Sequence, residues 1–494
     1  MDRQEHSNSN RPVSRTFIIL IHLNLQNLTV YFIVFHHEKA VYFGDKIYKY
    51  LIRLEMSFFP RFIHNQLSAW HSYPDRKPLL LRGARQVGKS HAVRAWCQQA
   101  NLKLLEMNFE EVPRLATVFD HDLDVLRIAR ELASYFGETI TSPSTVLFLD
   151  EIQVAPKAIT ALRYFYEKSP ETTVVAAGSL VEFALEGLGL PVGRVHSSFV
   201  YPLTFVEFLR AIGKNGLALA IEEFDVQTPM PLPQLIHSEL LLQLKTFFRV
   251  GGMPKAVVSF SESNDLARVS AEHALLLRGY RDDFRKYARQ VDWALLETIF
   301  EKMGQLAGGA PVRYSKIVHD LSSTQVRRAL AAISMSLVAH KILPVSTPKL
   351  PLAAHSIDKR FKLMFLDIGL LHHILGFDWR NVDPNSDLTE IADGRLAEQF
   401  VAQELIASRS SLDQYKLHYW NRMRAGSEAE VDFVIEQCGA PVPIEVKSGA
   451  RGRLRSLDEY IREEKPERCF VLSQRNVEVK ENVFFLPLYL AGRL

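Results

Sequence analysis

An eight-residue segment has residue types and a spacing that suit the binding of phosphate groups. Its residues follow the pattern Gly-x-x-x-x-Gly-Lys-Ser and are, in order, Gly83, Ala84, Arg85, Gln86, Val87, Gly88, Lys89 and Ser90. The apolar run at 78–81 predicts a buried strand, and a helical pattern begins at the lysine. In that setting the loop amides point inward at a helix N-terminus, where anions bind. The lysine would contact the β- and γ-phosphates of ATP, and the serine hydroxyl would hold Mg²⁺.

Two consecutive carboxylates, Asp150 and Glu151, follow a second apolar run at 145–149. Such an unbroken run is typical of a buried parallel strand, and ligands bind at the carboxyl ends of these strands. Asp150 is therefore predicted to hold Mg²⁺, directly or through water. Glu151 is predicted to orient or deprotonate the attacking water. A solvated strand end is the alternative, and the P-loop earlier in the chain favours the functional interpretation.

Two further residues are predicted to contact the γ-phosphate. Ser179 ends the apolar run at 173–179, which predicts a strand beside the one that ends in Asp150. Arg194 follows a stretch that contains glycine and proline. It could stabilise charge on the transferred phosphoryl group, either within its own chain or from a neighbouring subunit. An ordinary surface arginine is the alternative interpretation of Arg194.

The order of the predicted elements gives the fold class of this region. A strand is predicted at 102–107 and a helix at 121–136, between the P-loop helix and the strand that ends in Asp150. This alternation of strands and helices predicts an α/β fold with a right-handed parallel sheet, as in a P-loop nucleotide-binding domain. The sequence contains no glycine-rich dinucleotide-binding fingerprint that would compete with this interpretation.

Several segments together resemble one family. They are GARQVGKS, LFLDEIQ, AAGSL, PLTFVEFL, KLMFLDIGLLHHIL, EVDFVIE and PIEVKSG. A chain with these segments is similar to the bacterial and archaeal AAA-family ATPases that carry a C-terminal domain of unknown function. The resemblance extends from Met56 to the C-terminus. It implies ATP hydrolysis by a core at 56–215 and a helical lid at 216–295.

Residues 296–355 contain a helix-turn-helix pattern. One short helix is predicted around 317–321 and a second over 324–336, with a Ser-Ser-Thr run between them that supplies an N-cap. The apolar run that follows suits the wing of a winged helix. Arg327 and Arg328 would lie on or near the exposed face, where a DNA-binding protein contacts phosphates or base edges. A packing and lever module is the alternative.

A second group of charged residues lies in the region 356–494. Asp432 precedes Glu445-x-Lys447, and two strand-like runs joined by a turn carry these residues. This is the arrangement of the restriction-endonuclease-like fold, in which carboxylates hold a divalent metal ion that activates water. Glu398, in a predicted helix, is a further candidate metal ligand, and Lys447 would orient the nucleophile or stabilise charge. A half-buried hairpin would place similar charges without any metal.

Bulk composition limits the classes of protein to consider. With 494 residues the chain is long enough for about three domains. A net charge of +3 gives no support for a protein that coats nucleic acid, although a local basic patch stays open. The three cysteines form no metal-binding or disulfide pattern, so we expect buried free thiols and a cytoplasmic location. Homo-oligomer formation is a further expectation for this class of ATPase.

Residues 1–55 differ from the rest of the chain. The apolar stretch at 16–35 is long enough to span a bilayer. Polar residues in its middle argue against a membrane span, since such groups are costly there: His22, Asn24, Gln26 and Asn27. Because no small-residue cleavage site follows, a secretory signal is also a poor fit. Met56 opens a segment that suits a natural start, so we expect residues 1–55 to be an over-extended gene start.

Two functions follow from these patterns. In the first, a Mg²⁺-dependent ATPase controls an attached nuclease-like module that acts on nucleic acid. In the second, ATP drives a regulatory switch whose C-terminal domain is catalytically inactive and only binds DNA or a protein partner.

Overall fold

The computed structural model describes most of the chain. The described residues are 23–25, 28–30, 59–188, 193–287, 292–318, 321–376, 394–409, 414–424, 427–449 and 454–494. The chain divides into two compact units, Met1–Phe59 and Pro60–Leu494. In the first unit, strands β1 (Leu23–Leu25) and β2 (Leu28–Val30) pair in an antiparallel ladder. The rest of the predicted 1–55 extension lies outside the described residues.

The second unit contains a five-stranded sheet. Its strands are β3 (Leu79–Arg82), β4 (Lys103–Asn108), β5 (Thr145–Asp150), β6 (Thr173–Ala177) and β7 (His196–Phe199). They are ordered β4-β5-β6-β3-β7, and every neighbouring pair is parallel. This confirms the predicted parallel α/β sheet. All residues of β5 are buried, which explains its unbroken apolar sequence.

Five helices accompany the sheet. They are α1 (Phe62–His71), α2 (Lys89–Gln99), α3 (Val125–Phe136), α4 (Pro156–Lys168) and α5 (Val181–Leu188). Ile128 of α3 and Leu162 of α4 are fully buried in one core with Leu147 of β5. Burial of each such side chain stabilises the fold by roughly 1.5–3 kcal/mol. Helix α3 starts later than the predicted 121, because the Asp124 carboxylate caps it by accepting from the amide of Leu126.

A helical layer follows the sheet. Its helices are α6 (Phe205–Ala211), α7 (Asn215–Glu222), α8 (Gln234–Val250), α9 (Pro254–Ser263), α10 (Leu266–Tyr287), α11 (Trp293–Glu301), α12 (Met303–Leu306), α13 (Tyr314–Ile317) and α14 (Ser323–Met335). Ser322 and Gln325 form a capping box at the start of α14, so the N-cap predicted within the Ser-Ser-Thr run is confirmed. A turn that contains Gly251 and Gly252 separates α8 from α9.

The remaining elements build a mixed eight-stranded sheet and its helices. They are β8 (Ala339–Val345), β9 (Lys362–Phe365), α15 (Ile368–Ile374), α16 (Gly394–Arg409), β10 (His418–Arg424), β11 (Ser427–Gln437), β12 (Ala440–Val446), α17 (Arg455–Glu464), β13 (Cys469–Ser473), β14 (Glu478–Lys480) and β15 (Val483–Pro487). The strand order is β14-β15-β13-β12-β11-β10-β8-β9. Short 3-10 helices lie at Pro113–Phe119, Ile152–Val154, Leu352–His355 and Leu488–Arg493.

The predicted hairpin is present as β11 and β12, which pair antiparallel. Gln437 pairs with Ala440, which leaves Cys438 and Gly439 as the two turn residues. Both have positive φ, 52° and 75°, as a tight two-residue hairpin turn requires. The expectation of three buried thiols is therefore wrong for Cys438, which is exposed in this turn, whereas Cys97 and Cys469 are buried.

Among the helices that the structure describes, none combines the length and the apolar character that a bilayer span needs.

Candidate functional site

The carboxyl ends of three neighbouring strands bring the predicted nucleotide-site residues together. The P-loop follows β3, Asp150 ends β5, and Ser179 follows β6, which lies between β5 and β3. Because all three strands are parallel, these segments leave the sheet at the same edge. Residues far apart in the sequence therefore converge on the start of α2.

Two glycines give the P-loop its shape. A Cβ atom at Gly83 would lie 2.3 Å from the carbonyl oxygen of Val200, so no larger residue fits there. Gly88 has φ of +94°, a conformation that side chains disfavour, and it immediately precedes the first residue of α2. The loop can therefore turn tightly and present its backbone amides at the helix N-terminus.

Lys89 and Ser90 begin α2 and face the end of β5. The Lys89 ammonium is buried and donates to the carbonyl oxygens of Gly83 and Ala84 at 2.8 and 2.9 Å. The Ser90 hydroxyl lies 2.9 and 2.8 Å from the two carboxylate oxygens of Asp150. A hydroxyl and a carboxylate in contact supply the hard oxygen ligands that Mg²⁺ prefers, so these two residues fit the predicted ion.

Glu151 is held beside this pair in an uncommon conformation. Its φ is +51°, which is rare for a residue with a side chain and marks a position fixed by its surroundings. Gln153 donates to its carboxylate at 2.7 Å, and the Ser179 hydroxyl lies 3.5 Å from the same oxygen. The predicted base is thus oriented by Gln153, a residue that the sequence patterns did not single out.

Burial shifts the titration of the two central charges. It lowers the pKa of Lys89 to about 8, against the attraction of Glu151 and Asp150. Burial also raises the pKa of Asp150, and the hydrogen bond from Ser90 partly offsets this. A buried cation at the start of α2 and a buried carboxylate at the end of β5 suit a phosphate ligand accompanied by a metal ion.

Further contacts tie the P-loop to distant elements. The Arg61 guanidinium, next to α1, donates to the carbonyl oxygen of Val87 at 3.2 Å and pairs with Glu207 at 3.1 Å. Arg85 pairs with Asp283 of α10 at 2.6 Å. The Tyr280 hydroxyl donates to the carbonyl oxygen of Arg85 at 2.9 Å. No local pattern in the sequence identifies these partners, because each lies far from the P-loop along the chain.

Arg194 is not brought to this pocket within its own chain. It precedes β7 and therefore lies at the amino end of the parallel sheet, opposite the P-loop edge. Its guanidinium contacts Glu167, near the last residue of α4, at 3.2 Å. Glu167 lies roughly 16 Å along α4 from the helix start beside Glu151. A contact with the γ-phosphate of a neighbouring subunit stays a prediction.

The second group of predicted residues also converges. Asp432 of β11 and Glu445 of β12 lie just beyond the paired residues Phe433 and Ile444. The Asp432 carboxylate accepts from the amide of Val446 at 2.8 Å, and Lys447 pairs with Glu445 at 2.5 Å.

A lysine that the sequence patterns missed lies among these carboxylates. The Lys362 ammonium, from β9, is 3.0 Å from Glu398, 2.9 Å from Glu430 and 3.2 Å from Asp432. Burial opposes its charge, but the carboxylates, led by Asp432, raise the pKa of Lys362 well above its usual value. Burial, with the charge of Asp432, raises the pKa of Glu398 and of Glu445. Within the described residues, no group of three or more His, Cys, Asp or Glu is arranged to hold a metal ion.

The predicted DNA-facing arginines lie on α14. Arg327 and Arg328 are both exposed. The Arg327 guanidinium lies 4.9 Å from the centre of the Tyr314 ring and donates to the carbonyl oxygen of Asp358 at 3.2 Å. Arg327 therefore packs against Tyr314 and Asp358 as well as facing solvent.

Comparisons with known proteins cover most of the second unit. Residues 75–209 match a family described as an AAA domain, and residues 241–381 and 393–491 match two families described as domains of unknown function. No curated protein matches the chain.

Two solved structures show weak overall similarity. The Aeropyrum pernix ORC1 protein, solved in complex with DNA, has 13% identity and a TM-score of 0.27 over 64% of this chain and 90% of that one. C. elegans PCH-2 has 12% identity and a TM-score of 0.26 over 43% and 66%. At these scores the similarity carries no functional argument.

Proposed function

We propose, from the AAA-family P-loop domain that residues 75–209 form, that the protein binds ATP with Mg²⁺ and hydrolyses it. The contact between the Ser90 hydroxyl and the Asp150 carboxylate carries this proposal, because it unites the two predicted ligands of the ion. When bound, the ion would neutralise charge on the β- and γ-phosphates.

Separate residues of the chain would bind the phosphates, activate the water and contact the γ-phosphate. The P-loop amides and Lys89 bind the phosphates, which orders the triphosphate at the start of α2. Glu151, fixed by Gln153, accepts the proton of the attacking water or orients it. Ser179 is near enough to Glu151 to share contact with the γ-phosphate. Arg194 would act only from a neighbouring subunit, in a homo-oligomer.

The helical layer is proposed to sense the nucleotide. Tyr280 and Asp283 of α10 both contact Arg85 within the P-loop. Beyond the layer, Asp367 accepts from the amide of Gly252 at 2.7 Å, and Glu404 accepts from the amide of Phe205 at 2.9 Å. The helical layer thus contacts the P-loop through α10 and contacts the elements beside the C-terminal sheet at Gly252 and Phe205, and through these contacts it would couple the two regions.

For the C-terminal module we propose a regulatory binding role without cleavage. DNA is the proposed partner class, favoured by Arg327 and Arg328, which are exposed on α14 in the preceding module. The support is the Lys362 ammonium, which lies among the carboxylates expected to bind the nuclease metal. The nuclease-like function is the competing candidate, and the proximity of Asp432, Glu445 and Lys447 is the observation in its favour.

Binding and turnover of ATP are tested with variants of the full chain. Lys89→Ala should abolish binding of a fluorescent ATP analogue, because it removes the buried ammonium of the P-loop. Glu151→Gln should bind ATP normally while phosphate release falls roughly 10²-fold or more. Glu110→Gln, an exposed glutamate after β4, is the matched control and should behave as the wild type. An unchanged hydrolysis rate in Glu151→Gln would show that another group is the base.

The same preparations decide between the two roles of the C-terminal module. Single- and double-stranded DNA are incubated with Mg²⁺ or Mn²⁺ and with the wild type, Asp432→Ala or Lys447→Ala. We expect DNA binding without any cleavage that depends on either residue. Cleavage that both substitutions abolish would establish the nuclease instead.

A further inference from the structure

The carboxylate cluster of the C-terminal sheet contains a cation that belongs to the chain. An ammonium has three N–H donors, and three carboxylates lie within 3.2 Å of the Lys362 nitrogen, from Glu398, Glu430 and Asp432. Each donor therefore has its own charged acceptor. These carboxylates come from α16 and β11, so two separate elements converge on one lysine.

The surroundings of Lys362 leave little water to compete for this charge. Its side chain is 2% exposed, and its ammonium lies 5.5 Å from the centre of the Tyr419 ring and 5.8 Å from that of Phe433. Aromatic faces attract cations, and a buried ammonium without partners would be strongly destabilising. This is a built binding site for one positive charge.

The distances from the Lys362 nitrogen to the carboxylate oxygens suit an ammonium and are too long for a divalent metal ion. Nitrogen-to-oxygen separations of 2.9 to 3.2 Å are those of hydrogen bonds. Divalent ions need oxygens at about 2.0–2.6 Å, and none could share this centre with the lysine. The cluster also contains one hydrogen-bond acceptor without a donor. Glu445 is 6% exposed, and its Oε2 atom has no hydrogen-bond partner within the described residues. The cluster thus retains capacity for positive charge if the lysine is removed.

We propose that Lys362 is the resident cation of this cluster and occupies the position that a divalent ion shared by Glu398 and Asp432 would take. The native chain then binds no divalent ion there. The inference rests on one part of the proposed function, the absence of cleavage by the C-terminal module. It is independent of ATP hydrolysis.

Counting of bound Mn²⁺ tests the proposal. Nucleotide-free, metal-stripped full-length protein is titrated with Mn²⁺, and the free ion is followed by electron paramagnetic resonance. The variants are wild type, Asp432→Asn, Lys362→Met and the double variant Lys362→Met/Asp432→Asn. Any Mn²⁺ bound at the P-loop contributes equally to all four and cancels in the comparison.

We expect the wild type and Asp432→Asn to bind equal numbers of ions. Lys362→Met should bind one more, and the double variant should lose it. A wild type that binds one more ion than Asp432→Asn would overturn the proposal, as would a folded Lys362→Met that gains none. If Lys362→Met does not fold, Lys362→Gln takes its place, and the wild-type comparison still decides. A wild type that does not hydrolyse ATP would instead contradict the proposed function, and the ion count would be unaffected.

Discussion

Glu404 is a carboxyl group buried where α16 meets the segment that leads into α6. It is 2% exposed and accepts a hydrogen bond from the amide of Phe205. Burial, with a smaller contribution from the charge of Glu207, raises the pKa of Glu404 to about 8. A carboxyl group with a raised pKa stabilises the folded state less as pH rises, because the unfolded chain loses its proton first.

Replacement of this group should change how stability depends on pH. Below the ordinary glutamate pKa, near 4.5, Glu404 is protonated in both the folded and the unfolded chain, and its contribution to the stability of the folded state is fully present. That contribution is lost as the pH rises toward 8. Glu404→Gln cannot ionise, so its stability relative to wild type should increase between pH 5 and pH 8, by on the order of a few kcal/mol. Thermal midpoints at several pH values measure this. Exposed Glu467→Gln is the control, and parallel curves for Glu404→Gln and wild type would refute the prediction.

Site residues can be predicted from the sequence when their partners lie a short, fixed number of positions away. Lys89 and Ser90 are recognisable because their spacing from Gly83 is short and fixed by the loop they form. Lys362 carries no such signal, since its partner Asp432 is 70 positions away and only the folded sheet brings them together. A single lysine in an apolar run looks the same in the sequence whether it is buried or snorkels to solvent.

At the scale of elements, α10 is the helix that contacts the nucleotide site from outside the sheet. The hydroxyl of Tyr280 and the carboxylate of Asp283 reach the two ends of one P-loop residue, Arg85. The family resemblance implies a helical lid in this region, but which side chains face the P-loop depends on how the helical layer packs on the sheet. That packing is a long-range property, so no local pattern in the sequence places α10 at the site.

Removal of one hydroxyl should weaken this link without disturbing the catalytic groups. Tyr280→Phe deletes the hydrogen bond to the Arg85 carbonyl, which should cost about 1 kcal/mol of stability. Because the P-loop is then less well held, the KM for ATP should rise severalfold with little change in kcat. Steady-state phosphate release measures both constants. The control is Tyr135→Phe, an exposed tyrosine on α3, and an unchanged KM in Tyr280→Phe would argue against the link.

At the scale of the whole molecule, the eight-stranded sheet contains strands from two regions, 296–355 and 356–494, that the sequence predicts to be separate modules. Strand β8 pairs with β9 on one side and with β10 on the other, through Leu343 opposite His418. The predicted boundary between residues 355 and 356 would separate β8 from both neighbours. Sequence patterns place a strand at β8, but its partners are far along the chain and follow no local rule.

This pairing makes a prediction about fragments of the chain. A fragment of residues 356–494 lacks β8, so it should expose the ladder groups of β9 and β10. Because Ile342 and Val345 of β8 are buried in the full chain, it should also expose the apolar side chains that they pack against. We expect it to aggregate or to melt without cooperativity in calorimetry, whereas a fragment of residues 292–494, which retains β8, should melt cooperatively. Restored cooperativity with β8 present would show that the strand belongs to the C-terminal sheet as a folding unit. A cooperative transition in 356–494 alone would instead support a separate domain that begins at Ser356.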